Sequence, residues 1–230
     1  PHDPVQGFDE PLRPTAPQLH ADRPGNILAH GFVAKGDADA ALAAADVMVE
    51  GEFETGFVEH AYIEPEAGWA RPVTGPDGRR RVELRVTTQT PYMDRDEVAL
   101  VMKLRPDQVR IVPTACGGGF GGKLDLSVQP LIALGAWLTG RPVACVYTRP
   151  ESMASTTKRH PARIHARFGC DRSGKLQAAQ MDAIFDTGAY ASWGPTVATR
   201  VPIHATGPYT VPNVLAYDPA FAYELAIIVR

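Results

Sequence analysis

Apolar and polar residues alternate with a period of two along several stretches, separated by Gly/Pro-rich breaks, and this sets the predicted elements. Residues 47–55 (Val-Met-Val-Glu-Gly-Glu-Phe-Glu-Thr) alternate as a strand with one polar face. Residues 81–87 put Val82, Leu84 and Val86 on one side and Arg81, Glu83 and Arg85 on the other. Thr-Gly-Pro-Asp-Gly at 74–78 is turn chemistry, as is Asp-Arg-Ser-Gly at 171–174. Residues 109–113, 141–148, 161–170 and 176–186 predict further strands.

Helical spacing appears in three places. Residues 37–46 are Ala-rich, with Asp37 or Asp39 as cap. Pro91 suits the first turn of a helix running to about Leu104, with Thr90 as candidate cap and Val98, Val101, Met102 and Leu104 as its inward stripe. Residues 124–138 read as a buried helix. The mixture predicts an α+β fold of mixed sheets with packed helices. Six prolines in residues 1–25 predict an extended lead-in or linker, leaving 26–214 as the domain proper.

Between the strand at 109–113 and the apolar run at 124–138 stands Cys-Gly-Gly-Gly-Phe-Gly-Gly-Lys at 116–123. Five glycines around one Phe let backbone N–H groups crowd a ligand and permit positive φ. A strand, a glycine loop and a helix start together suit an anionic or oxo-bearing cofactor. Two readings stay open here. Residues 117–123 fit the Gly-x-x-x-x-Gly-Lys of a phosphate loop, but Leu124 stands where a Ser or Thr should hold Mg²⁺. The other reading is a different cofactor loop, with Thr-Thr-Gln-Thr-Pro at 87–91 upstream.

Composition narrows the classes. A net charge of −3 without a basic stripe argues against nucleic acid. No apolar run approaches 18 residues, which argues against a membrane helix. Pro-His-Asp-Pro-Val at 1–5 is no signal segment, so the expected compartment is cytoplasmic, or periplasmic if a leader was removed. Cys116, Cys145 and Cys170 have no Cys-x-x-Cys pairing, so no iron–sulfur or zinc site is encoded among them. Cys145 reads as a small hydrophobe. His60 and His160 lack a second His or Cys at metal spacing and read as polar-network residues. Glu59, Glu64 and Glu66 form an acidic cluster without assignable acid and base roles.

The motif set resembles the molybdenum-binding subunit of the xanthine dehydrogenase and aldehyde oxidoreductase family of molybdenum hydroxylases. The matching residues are Gly-Gly-Gly-Phe-Gly-Gly-Lys at 117–123, Thr-Gln at 88–89, Thr-Gly-Arg-Pro-Val at 139–143 and Arg-His-Pro at 159–161, and the resemblance covers about residues 20–214. It implies part of a molybdopterin-binding domain. Gln89 resembles the glutamine that hydrogen-bonds an oxo ligand of molybdenum, which a neutral amide can do while the metal changes charge. Gly118, Gly119, Phe120, Gly121 and Gly122 resemble the loop beside the metal and its pterin. Arg200 resembles a substrate-side arginine able to bind a carboxylate or carbonyl. Lys123 holds an anion or is solvated at the helix start, where the dipole calls for a partner anion. Leu124 stands where xanthine-oxidising members carry a glutamate, which argues against a purine handled in their usual way.

The resemblance further implies molybdopterin with molybdenum, in the cytosine dinucleotide form of bacterial relatives, and 2Fe–2S and FAD centres on other chains or domains. The implied reaction oxidises an aldehyde or aromatic N-heterocycle with water as oxygen source. The family's C-terminal glutamate base has no counterpart here, so the isolated 230-residue chain is expected to be inactive without the remaining C-terminal part. Residues 215–230 do not continue the family pattern and read as an atypical tail. The alternatives are a non-catalytic assembly domain and a degenerate nucleotide-binding loop.

Overall fold

The computed structural model describes residues 21–23, 27–188 and 190–221, so most of the proline-rich lead-in lies outside the described residues. The chain forms two compact units: residues 59–159, and the segments on either side of them.

The flanking unit is built on β1 (Ile27–Lys35), β2 (Val47–Thr55), β7 (Ala162–Cys170), β8 (Leu176–Asp186) and β9 (Asn213–Phe221). The sheet order is β1-β9-β8-β7-β2, antiparallel except for the parallel β8–β9 pair. Helix α1 (Ala38–Ala43) is capped by Asp37, whose carboxylate accepts the Ala40 N–H at 2.9 Å. It packs at Gly169, where an added Cβ would stand 2.9 Å from the Ala45 Cβ. Two short helices follow β8: α5 (Gly194–Ala198) and α6 (Arg200–His204). Strand β9 runs through residue 215, where the sequence pattern places the start of an atypical tail, and pairs with β1 and β8 as far as Phe221. Strand β2 is exposed on both faces, with Val49 and Phe53 open to solvent.

The central unit carries β3 (Ala67–Thr74), β4 (Arg80–Val86), α2 (Pro91–Met102), β5 (Val109–Pro113), α3 (Gln129–Thr139), β6 (Val143–Val146) and α4 (Arg149–Ser155). The order is β5-β4-β3-β6, and β4 and β5 are parallel. A parallel pair needs a crossover, and α2 supplies it. Val82, Leu84 and Val86 of β4 face Val98 and Ala99 of α2 and Ile132, Ala133 and Ala136 of α3 in one dry core. Both sheets are mixed and both units carry helices, so the α+β class holds.

Local expectations fail in four places. Val101 is 60% exposed, and the inward face of α2 is Asp94, Val98 and Ala99, with Met102 and Leu104 at its border. Thr90 stands at the expected N-cap of α2 but makes no side-chain cap bond; its hydroxyl donates to the Leu124 carbonyl at 3.1 Å. Glu83 lies on the polar side of β4 yet is buried, beneath Arg71 (2.9 Å), Arg110 (3.1 Å) and Arg85 (4.0 Å). The helix expected over 124–138 begins only at Gln129. Pro130 sits in its first turn, as proline prefers, and the Gln129 side-chain oxygen accepts the Ser127 N–H at 2.7 Å just ahead of it. No helix among the described residues is long and apolar enough to cross a membrane.

Candidate cofactor-binding site

Gln89 lies between the end of β4 and the start of α2, and its backbone is tied to the glycine loop. Its N–H donates to the Lys123 carbonyl at 3.1 Å. Its side-chain oxygen accepts two loop N–H groups, from Gly121 at 3.0 Å and Lys123 at 3.2 Å. Two donors on one amide atom make that atom the oxygen. The NH₂ end is therefore left to donate elsewhere, and Gln89 is exposed.

The loop itself is strained and close-packed. Phe120 adopts φ +52° with its ring 76% exposed, and Gly118 and Gly121 also have positive φ. A non-glycine residue in this region has a conformational cost and often marks a functional site. Several of the glycines answer to protein neighbours. A Cβ on Gly119 would stand 2.4 Å from the Gln89 oxygen, one on Gly117 2.6 Å from the Glu64 Cβ, and one on Gly122 2.6 Å from the Tyr62 ring. The N–H groups of Gly118, Gly119 and Phe120 enter no hydrogen bond among the described residues.

Beneath the loop the acidic cluster divides into separate pairs. Glu64 accepts the Gly117 N–H at 2.7 Å and the Lys123 ammonium at 2.8 Å. Glu59 pairs with Lys158 at 2.6 Å. Glu66, buried, accepts the Tyr62 hydroxyl. Burial, then the Glu66 bond, pushes the Tyr62 phenol well above its ordinary range, so it stays a donor. His60 lies under the same loop, 3.0 Å from the Cβ position of Gly122. Burial holds its imidazole below its ordinary value against the pull of Glu59, which favours the neutral ring. Lys123 does hold an anion, Glu64, but not at a helix start: its side chain is 3% exposed and turned inward against Glu64 and the Tyr62 ring. The strand–loop–helix geometry of a phosphate loop is absent for the same reason.

Behind Gln89, buried Asp94 accepts a hydrogen bond from the Gln129 amide at 3.0 Å. Burial pushes its carboxyl above the ordinary range, while bonds from Thr88, Gln129 and Thr90 pull it back. Because its folded pKa exceeds the unfolded one, the folded state binds more protons between the two values. Its contribution to stability is present at low pH and is lost as pH rises through the folded pKa. Asp94→Asn is expected to flatten the fall in urea midpoint as pH rises above the ordinary aspartate range; an unchanged slope would assign that fall to other groups.

The central unit thus brings together Gln89 and Gly118 through Gly122. Arg200 belongs to the flanking unit, in the first turn of α6, where it is exposed. Cys116, at the foot of the loop, is exposed, and its thiol donates to the Gly118 carbonyl at 3.3 Å. Glu64 is the residue whose part in the loop the linear sequence does not disclose. Its one available signal is its place in Glu-His-Ala-Tyr-Ile-Glu-Pro-Glu at 59–66.

No group of three or more His, Cys, Asp or Glu among the described residues could hold a metal ion. The outward chemistry of the loop is neutral donation, from the Gln89 NH₂ and the free N–H groups. That donor set fits a group that brings its own metal and presents oxygen atoms.

Fold and site together define a cofactor-binding α+β domain whose glycine loop is bonded to the Gln89 amide and the Glu64 carboxylate. The family described as the molybdopterin cofactor-binding domain matches residues 19–219, and the chain belongs to that family. It is 43% identical over 216 residues to the nicotinate dehydrogenase large molybdopterin subunit of Eubacterium barkeri, covering 94% of this chain and 49% of that protein. It is 40% identical over 206 residues to a probable xanthine dehydrogenase subunit of Bacillus subtilis, covering 90% and 27% respectively. The aldehyde oxidoreductase structure from Desulfovibrio gigas superposes with a TM-score of 0.80 at 28% identity, over 95% of this chain and 24% of that one. The chain spans about half or less of the length of these relatives. The resemblance to the xanthine dehydrogenase and aldehyde oxidoreductase family is therefore upheld by family, sequence and fold.

Proposed function

We propose that this chain supplies the loop-and-amide side of the cofactor site in a molybdenum hydroxylase that oxidises an aromatic N-heterocycle or an aldehyde, with water as oxygen source. The observation that carries the reading is the Gln89 amide, its oxygen taken by two loop N–H groups and its NH₂ turned outward. The bound molybdenum–pterin group, in its cytosine dinucleotide form, supplies the redox centre. Gln89 donates to an oxo atom while staying neutral. Of residues 118–122, Gly118, Gly119 and Phe120 would offer it their free N–H groups, and the exposed Phe120 ring would wall it. Electrons leave to 2Fe–2S and FAD centres on partner chains or domains.

For the substrate, Leu124 offers no polar group to a purine, and the nicotinate dehydrogenase relative favours a heterocycle with a carboxylate. The Arg200 guanidinium is the candidate partner of that carboxylate. A second reading, a non-catalytic assembly domain, draws on the exposed Leu131, Leu134 and Leu138 along α3.

Molybdenum by elemental analysis and pterin by fluorescence after oxidation separate the two. Stoichiometric molybdenum and pterin are expected once the chain is assembled with the remaining C-terminal part of the molybdenum subunit. Absence of both from the chain co-expressed with the remaining C-terminal part of the molybdenum subunit and with iron–sulfur and flavin partners would sink the cofactor reading.

A further inference from the structure

We propose that Glu64 is the positioning residue for Gln89, acting through Lys123 as a clasp on the glycine loop. The inference rests on the site reading above, but its physical content needs no bound group.

One carboxylate oxygen of Glu64 holds both ends of the loop. It accepts the Gly117 N–H at 2.7 Å and the Lys123 ammonium at 2.8 Å. The Glu64 N–H donates to the Gly117 carbonyl at 3.4 Å, and the Gly117 backbone lies so close to the Glu64 stem that a Cβ there would be at 2.6 Å. The foot of the loop therefore rests on Glu64 directly.

Lys123 carries the coupling onward. Its side chain turns in to Glu64, while its backbone turns out to Gln89: the N–H donates to the Gln89 side-chain oxygen at 3.2 Å and the carbonyl accepts the Gln89 N–H at 3.1 Å. One residue thus bonds the clasp with its side chain and the candidate donor with its backbone. The second bond to the Gln89 oxygen, from Gly121 at 3.0 Å, comes from the same loop. Where the Lys123 backbone sits decides where the Gln89 NH₂ points.

The clasp depends on charge as well as shape. The Lys123 side chain is 3% exposed, and its nearest aromatic support is the Tyr62 ring, 4.7 Å from the ammonium to the centroid. A buried ammonium without its carboxylate is strongly disfavoured, whereas removing both charges together is often tolerated. Glu64→Gln keeps an oxygen for Gly117 but strands the ammonium, so the Lys123 side chain must move toward water and take its backbone with it. Glu64→Gln/Lys123→Met removes both charges and keeps the amide acceptor for Gly117.

The test is nitrogen-15 NMR of the side-chain amides in the intact chain, with amide exchange of residues 114–124 and 129–139, for the parent, Glu64→Gln and the double variant. In Glu64→Gln the Gln89 NH₂ resonances are expected to shift and broaden. Exchange of the bonded amides of Gly117, Gly121, Gly122 and Lys123 should speed at least about tenfold while α3 is unchanged, as for a local opening. The Gln108 amide, bonded to the Arg80 carbonyl on the surface, should not move. The double variant is expected to return the Gln89 resonances and most of the protection. Unmoved Gln89 resonances in Glu64→Gln, exchange rising equally in α3, or no recovery in the double variant would each overturn the proposal. All these signals are read without molybdenum or pterin, so failure of the cofactor reading leaves a different trace from failure of the clasp.

Discussion

Gln89→Ala is expected to lower kcat/KM of the assembled enzyme by about 10²–10³, the usual effect of removing one preorganised hydrogen-bond donor from an active site. The reason lies in what the side chain does at rest. Its oxygen is occupied by the Gly121 and Lys123 N–H groups, so only the NH₂ is available to a ligand. Alanine removes that donor and releases two loop N–H groups. Gln89→Glu separates the two roles. A carboxylate still accepts both N–H groups, so the loop and the melting temperature should be kept. It also places a negative charge where a donor is needed, so activity should fall at least as far as in Gln89→Ala. Equal activity of Gln89→Glu and the parent, at equal molybdenum content, would show that the outward NH₂ has no part in the reaction.

The orientation of that amide is something no reading of the linear sequence could supply. The sequence does place Gln89 just beyond a strand end and before Pro91, and the apolar positions of that strand, β4, repeat every second residue because one face is buried. Val82, Leu84 and Val86 follow that rule to the letter. The same rule misplaces Glu83, because alternation distinguishes the two faces of a strand and is blind to three guanidiniums converging from β3, β4 and β5 over one carboxylate.

The helix after the loop fails for a related reason. Residues 124–128 are apolar enough to belong to it, but the backbone there is committed elsewhere: the Leu124 carbonyl to Thr90 and the Lys123 carbonyl to Gln89. These are long-range hydrogen bonds, and hydrophobic periodicity carries no information about them. The error matters for Lys123. Placed at a helix start, it calls for a partner anion by the dipole argument, without naming one. In the fold its anion is Glu64, 59 residues earlier in the chain. A pairing at that separation is a property of the tertiary structure, which is why the acidic cluster at 59–66 looks like surplus charge in the linear sequence.

The glycines show the same division between local and tertiary causes, and they carry the largest stability effect expected here. Gly122→Ala is expected to destabilise the chain by about 3 kcal/mol, near the upper end of the usual cost of overpacking a core. For a chain of 230 residues that is a fall in melting temperature of roughly 6–12 °C. Gly122 is buried and has no positive φ, so the cost is one of space. An added Cβ meets the Tyr62 ring at 2.6 Å, the His60 ring at 3.0 Å and the Gly119 carbonyl at 3.2 Å. None of the three can give way easily. Tyr62 is 1% exposed with its hydroxyl bonded to Glu66, and the carbonyl is backbone. Gly78→Ala is the matched control. Gly78 has φ +73° with nothing within 4 Å of its Cβ position, so only the left-handed backbone opposes the substitution, at roughly 1 kcal/mol. If Gly122→Ala melts no lower than Gly78→Ala, the loop is not pressed onto Tyr62 and His60, and its glycines answer to backbone conformation instead. If it melts well below, the Gly-Gly pair at 121–122 combines two demands, one residue supplying the turn and the next the close approach.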